Sequence, residues 1–266
     1  MYQFIKKQIA NHHTGPNKGP HVHDNQTTAL HTVKSGTREI KVVRRVLDVN
    51  DQMADQNRRL FADHDVFVLN VMSSPGSGKT TTLVKTLSRI MPAIQCAVIV
   101  GDICTTNDAD RLAVSGAPVV QVNTDEFGGD CHLAAHVIEK ALGGIDLEAI
   151  QLLIVENVGN LVCPAEFDIG EDARVVVLSV TEGEDKPLKY PLMFRECNAA
   201  ILNKIDLLPY LEYDAAAAVE NIRQIHPDMP VFEMSAKTEA GMTPWLDWLR
   251  QQLNKKSATT SRAGGS

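Results

Sequence analysis

Aromatic residues are scarce: two Trp, four Tyr and seven Phe make up 5% of the 266 residues, and no ring platform for stacked nucleobases is in sight. Long apolar runs are missing as well. The longest, such as Val175 to Val180, fall far below the roughly 20 residues that cross a bilayer, so neither a membrane span nor a lipid anchor is expected. Cysteine is absent from residues 1 to 95, and the five that follow, Cys96, Cys104, Cys131, Cys163 and Cys197, are an odd number at wide spacing. That is no disulfide framework. With no secretory leader pattern, a reducing, cytoplasmic setting is expected. Apolar residues at 44% and charged residues at 22% exclude wholesale disorder and collagen-like repeats.

Charge is present in both signs but unevenly. Residues 1 to 46 carry eight Lys or Arg against Asp24 and Glu39, a charge of +6 within a chain of net −7. The rest is therefore acidic, which disfavours a nucleic-acid partner. Five of the nine histidines, His12, His13, His21, His23 and His31, lie in the same basic stretch among Gly, Pro, Asn and Thr. So few apolar side chains cannot offset the entropy of ordering, and residues 1–36 read as a flexible basic arm. Residues 37–64 read as a helical extension, with Val46, Met53, Leu60 and Phe61 on a stripe. Residues 256–266 read as a disordered tail.

From residue 65 to 255 short apolar runs alternate with helix-length segments. Strands are expected at 66–72, 97–100, 119–122, 152–155, 175–180, 199–202 and 231–233. Helices are expected at 79–90, 108–114, 131–142, 213–225 and 243–253. Continuously apolar strands separated by helices predict an α/β fold with a mainly parallel sheet covered on both faces.

The first strand runs into Ser73-Ser74-Pro75-Gly76-Ser77-Gly78-Lys79-Thr80, followed by a helix. That is the setting of a P-loop, although Ser73 stands where the general pattern has Gly. Gly76, Ser77, Gly78, Lys79, Thr80 and Thr81 are the candidate phosphate contacts: inward N–H groups, the positive end of a helix, the Lys79 charge, and a Thr80 hydroxyl for magnesium. Asp102 and Glu156 follow two other strands, so both carboxylates are expected near that loop as magnesium-side acids. The Gly159 N–H is expected to report the γ-phosphate. Asn203-Lys204-Ile205-Asp206 follows a further strand. Asp206 can accept from N1–H and the 2-amino group of guanine, which adenine lacks, while Asn203 braces the loop and the Lys204 stem covers the ring. Ser235-Ala236-Lys237 would add the Ala236 N–H to the guanine oxygen. Together these motifs favour GTP and GDP over adenine nucleotides.

Cys131-His132 opens the expected 131–142 helix, with His136 one turn on, and Cys163 lies seven residues beyond Glu156. Thiolate and imidazole suit nickel(II) or zinc(II), and so few ligands invite completion by a second copy of the chain. A buried structural Cys-His pair is the plainer reading of such a dipeptide alone. Cys96, Cys104 and Cys197 read as inert.

Two longer strings, Glu156-Asn157-Val158-Gly159-Asn160-Leu161-Val162-Cys163-Pro164-Ala165 and Thr181-Glu182-Gly183-Glu184-Asp185-Lys186-Pro187-Leu188-Lys189-Tyr190-Pro191, resemble the HypB family of GTPases that assist nickel insertion into [NiFe]-hydrogenase. The similarity runs over about residues 40 to 253. It implies a P-loop GTPase of the SIMIBI class with slow intrinsic turnover and Lys79, Asp102 and Glu156 at the catalytic centre. It further implies a homodimer around GTP and a metal site from Cys131, His132 and Cys163, with His136 less secure. The partners it implies are a HypA-type nickel chaperone and the hydrogenase large-subunit precursor. The Cys-x-x-Cys-Gly-Cys site near the N-terminus of some members is missing. Rival readings are a urease-type nickel-chaperone GTPase, whose Cys-Pro-His loop is absent, a P-loop small-molecule kinase, which would lack the base motif, and a metal-buffering protein with structural nucleotide.

Overall fold

The structure, a computed structural model, describes residues 34–91, 93–102, 107–124 and 132–263. The chain divides into two units, 1–42 and 43–266. In the first, the described residues, 34–42, are helical. The helix to which they belong, α1, spans Lys34–Asp63 and starts before the expected residue 37. The calls on the arm otherwise lie outside the described residues. No described helix is long and apolar enough to cross a membrane.

The second unit is built on seven parallel strands: β1 (Phe67–Ser73), β2 (Cys96–Asp102), β3 (Val119–Asn123), β4 (Leu152–Glu156), β5 (Ala173–Ser179), β6 (Ala199–Asn203) and β7 (Val231–Glu233), in spatial order β3-β2-β4-β1-β5-β6-β7. Every residue of β1 and β4 is buried, the signature of strands covered on both faces. Helices α2 (Lys79–Ile90), α3 (Asn107–Ala113), α4 (Ala135–Ala141), α5 (Cys163–Glu166), α6 (Lys186–Lys189), α7 (Pro191–Glu196), α8 (Ala215–Ile225) and α9 (Met242–Ala263) complete the unit.

Alternation along β1 divides the core. Phe67, Leu69 and Val71 pack with Leu83, Leu87 and Ile90 of α2 and with Trp245 and Leu249 of α9. The i, i+4, i+7 spacing in α2 sets that stripe, each side chain contributing roughly 2 kcal/mol by burial. Trp245 is fully buried, and its indole N–H donates to Thr86 Oγ1 at 2.9 Å. The opposite face of β1 splits in two: Val66 and Val68 join Phe61 of α1 and Ile138 of α4, whereas Met72 joins Phe194 of α7 and Ile222 of α8.

Two expectations need correction. The helix predicted from Cys131 begins only at Ala135, because Asn side chains from elsewhere in the fold hold Leu133 to Ala135 out of a preceding helical turn. Leu133 N–H donates to Asn157 Oδ1 at 3.0 Å and Ala135 N–H to Asn50 Oδ1 at 3.0 Å, with Ala134 at φ −89°, ψ 163°. The tail predicted from residue 256 instead continues α9 to Ala263, and Lys256 Nζ donates to Asp172 Oδ1 at 2.7 Å.

Candidate functional site

The C-terminal ends of β1, β2 and β4 open on a cleft of about 490 Å³. Gly76, Gly78, Lys79, Thr80 and Thr81 line one side, and Glu156 and Gly159 line another. Ser77, in the same loop, is buried, its hydroxyl donating to Ser74 O at 3.0 Å. Gly78 caps α2 at φ 95°, where a Cβ would stand 2.5 Å from Asn203 Nδ2. Only glycine fits there without displacing that side chain. Lys79 Nζ donates to Ser73 Oγ at 2.9 Å, so the residue replacing the first glycine of the general pattern anchors the lysine. Gly159 also approaches the loop tightly, its notional Cβ 3.1 Å from Pro75 Cα, and a bridge joins Ser73 to Asn160.

Thr80 Oγ1 donates to Glu156 Oε1 at 2.7 Å, while Glu156 Oε2 is buried with no hydrogen-bond partner. Burial pushes this carboxyl up to about 7, against the opposing pull of Lys79 and Thr80. An ionised acid there has one oxygen aimed at nothing, an arrangement a hard cation or its water would complete. Asp102 ends β2, paired in register with Asn123; its side chain lies outside the described residues. Two lining residues carry no local motif and escape the sequence reading. Asp108 and Arg111 of α3 face the cleft, with Arg111 Nη2 donating to Thr81 Oγ1 at 2.7 Å and Nη1 to Asp108 Oδ1 at 3.3 Å. Their i, i+3 opposite charges on the helix after β2 were the available signal.

On the base side, Asn203 is a brace in both directions: its Nδ2 donates to Ser77 O at 3.0 Å, and its Oδ1 accepts the Ala236 N–H at 3.0 Å. That N–H, expected to face a guanine oxygen, is here given to Asn203. Ser235 Oγ donates to Asp206 Oδ1 at 2.6 Å and fixes the carboxylate. Lys204, at φ 65°, reaches back over the P-loop to Gly76 O at 2.7 Å, and Lys237 is exposed.

The expected metal ligands divide. Cys131 and Cys104 lie outside the described residues. His132 is buried, its ring stacked on Phe167 with centroids 3.8 Å apart, which brings its segment against the residue following α5. His136 is half-buried on the first turn of α4. Since that helix starts after His132, the one-turn relation between the two histidines is lost. Cys163 is the first residue of α5, accepts from Asn160 Nδ2 at 3.4 Å, and is disulfide-bonded, which corrects the expectation of unpaired thiols. A thiolate ligand at this position therefore requires prior reduction. Among the described residues no three His, Cys, Asp or Glu side chains form a metal cluster. Cys96 and Cys197 are free and buried, the first pushed up to about 12 and the second also raised, so both are inert thiols at neutral pH.

The family model for the CobW/HypB/UreG nucleotide-binding domain matches residues 67–233. The hydrogenase maturation factor HypB of Escherichia coli K12 is 49% identical over 218 residues, covering 82% of this chain and 74% of that protein. HypB of Azotobacter vinelandii is 45% identical over 236 residues, covering 88% and 77%. Among solved structures, HypB from Helicobacter pylori in complex with nickel is 37% identical at a TM-score of 0.71, covering 77% of this chain and 95% of that one. HypB from Archaeoglobus fulgidus gives 35% and 0.72, covering 78% and 100%.

Proposed function

The chain belongs to the HypB hydrogenase maturation factors of the CobW/HypB/UreG family, and from that premise we propose that it is a GTP-hydrolysing metallochaperone. It closes as a homodimer around GTP, exchanges nickel (or zinc) with a HypA-type chaperone that delivers or receives it, and assists nickel insertion into the hydrogenase large-subunit precursor in the cytoplasm. One observation carries the reading. A single continuous segment starts at Glu156, bonded to Thr80 of the P-loop, and ends in the helix begun by Cys163.

The backbone of residues 76–81 and the Lys79 ammonium hold the phosphates, and Arg111 at the cleft edge meets the γ-phosphate side. Thr80, Asp102 and Glu156 are the magnesium-side oxygens; the partnerless Glu156 Oε2 fits that assignment. Magnesium, when bound, offsets phosphate charge. Asp206, fixed by Ser235, accepts from the guanine edge. The Gly159 N–H responds to the γ-phosphate, so hydrolysis frees the loop and with it the Cys163 helix. Cys131, His132 and Cys163, with His136 as the fourth residue of the set, form the metal site across the dimer.

Lys79→Ala tests this reading: GTP hydrolysis is abolished while nickel stoichiometry stays at the wild-type value. Wild-type protein with no detectable GTPase activity would instead support a metal buffer whose nucleotide is structural.

A further inference from the structure

Position 70 is an anomaly in β1. Its neighbours on the same face, Val68 and Met72, are fully buried and apolar, and each belongs to a different core cluster. Asn70 is equally buried and sits at the seam between them. Its carboxamide is spent on a chain of bonds. Asn157, one residue beyond Glu156, donates from Nδ2 to Asn70 Oδ1 at 3.3 Å, and Asn70 Nδ2 donates to Glu171 Oε1 at 3.1 Å.

The chain branches at both ends. At one end Asn157 Oδ1 accepts from Leu133 N–H at 3.0 Å, next to His132, and from Val158 N–H at 2.9 Å in the loop leading to Gly159. At the other, Arg174 Nε donates to Glu171 Oε1 at 2.5 Å, and Arg174 Nη1 reaches Ala165 O at 3.4 Å, inside the helix that Cys163 begins.

We propose that the Asn70–Asn157 pair, with Glu171 and Arg174 behind it, is the positioning link through which the nucleotide loop sets the placement of the segments bearing His132 and Cys163. The proposal rests on the coupled-switch reading above and names the residues that carry it. A buried amide network whose members are all satisfied has few alternative arrangements, so a shift of the loop after β4 either carries both segments with it or breaks these bonds. Loop connectivity links Glu156 to Cys163 alone; this network also reaches Leu133, next to His132 and distant in sequence, alongside the His132–Phe167 stack.

The test is nickel titration of the full-length, reduced protein, followed by nickel–thiolate absorbance, with GDP and with a non-hydrolysable GTP analogue. Wild type is expected to show nickel affinities differing between the two states by roughly 5- to 150-fold. In Asn70→Ala that ratio falls to about one with nickel stoichiometry and GDP affinity kept; in Asn157→Ala, whose residue also lines the nucleotide cleft, the ratio falls likewise with nickel stoichiometry kept. Arg174→Lys, which keeps a cation beside the buried Glu171 but gives up the Nη1 contact with Ala165 O, gives an intermediate ratio and a shifted thiolate band, because only the α5 branch is cut. Wild-type ratios in the folded variants, or equal weakening of nickel binding in both nucleotide states, would overturn the proposal and reduce the network to a fold element. If the Ala variants do not fold, Arg174→Lys decides alone, an unchanged ratio counting against. A wild-type ratio of one removes the coupled switch itself and this link with it, a failure distinct from retained coupling in the variants.

Discussion

Glu156 holds its proton to about pH 7 because burial disfavours the charge more than Lys79 and Thr80 favour it. Its folded value lies above the ordinary 4.5, so the native state holds the extra proton, and native stability falls as pH rises from about 4.5 through 7. Cation binding requires the ionised form and runs the other way. Magnesium affinity, and hydrolysis at sub-saturating magnesium, should therefore climb across the same upper limb and level off above pH 7. Glu156→Gln should flatten both profiles, lower hydrolysis by on the order of 100-fold, and make the nucleotide-free protein more stable at pH 8. Magnesium titrations at pH 6 and 8, with thermal melts alongside, read all three. An unchanged pH profile in the variant would assign the titration to another group.

At the scale of elements, strand positions are legible because a strand covered on both faces must be almost continuously apolar, and β1, β4, β5 and β6 are so apart from Asn70, Arg174 and their polar last residues. The P-loop and the Asn203–Asp206 loop are legible because turn geometry and charge confine their residue types. The start of α4 is not. His132 to Ala134 include nothing that breaks a helix, and what stops them is Asn50 on α1 and Asn157 after β4, far away in sequence. Arg111 was missed for the same kind of reason, since only the packing of α3 beside α2 brings it to Thr81. The C-terminal residues look like a tail by composition, but Lys256 meets Asp172 and the helix goes on. Asn50 is thus a tertiary helix cap, and Asn50→Ala should cost about 1–2 kcal/mol by leaving the Ala135 N–H and Asp168 carbonyl without their partner. That corresponds to a melting-point loss of roughly 2–8 °C, and an unchanged melting point would deny it the capping role.

For the whole molecule, the disulfide at Cys163 together with the metal role proposed for its thiolate would make redox state a variable of metal loading. Nickel bound per chain, and the dimer fraction with GTP analogue, should both rise when the protein is reduced; equal nickel stoichiometry in oxidised and reduced samples would take Cys163 out of the metal account. One further consequence follows from Asn203, which holds a P-loop carbonyl with one end of its amide and the Ala236 N–H with the other. In the proposed GTP site, base selectivity and grip on the phosphates would then share this joint, with the Lys204 contact to Gly76 O as a second tie between the same two loops. A substitution at Asn203 should loosen both, whereas a change at Asp206 should alter the base alone. Departure of the base would slacken the phosphate loop in the same motion, the nucleotide leaving as a unit rather than end by end.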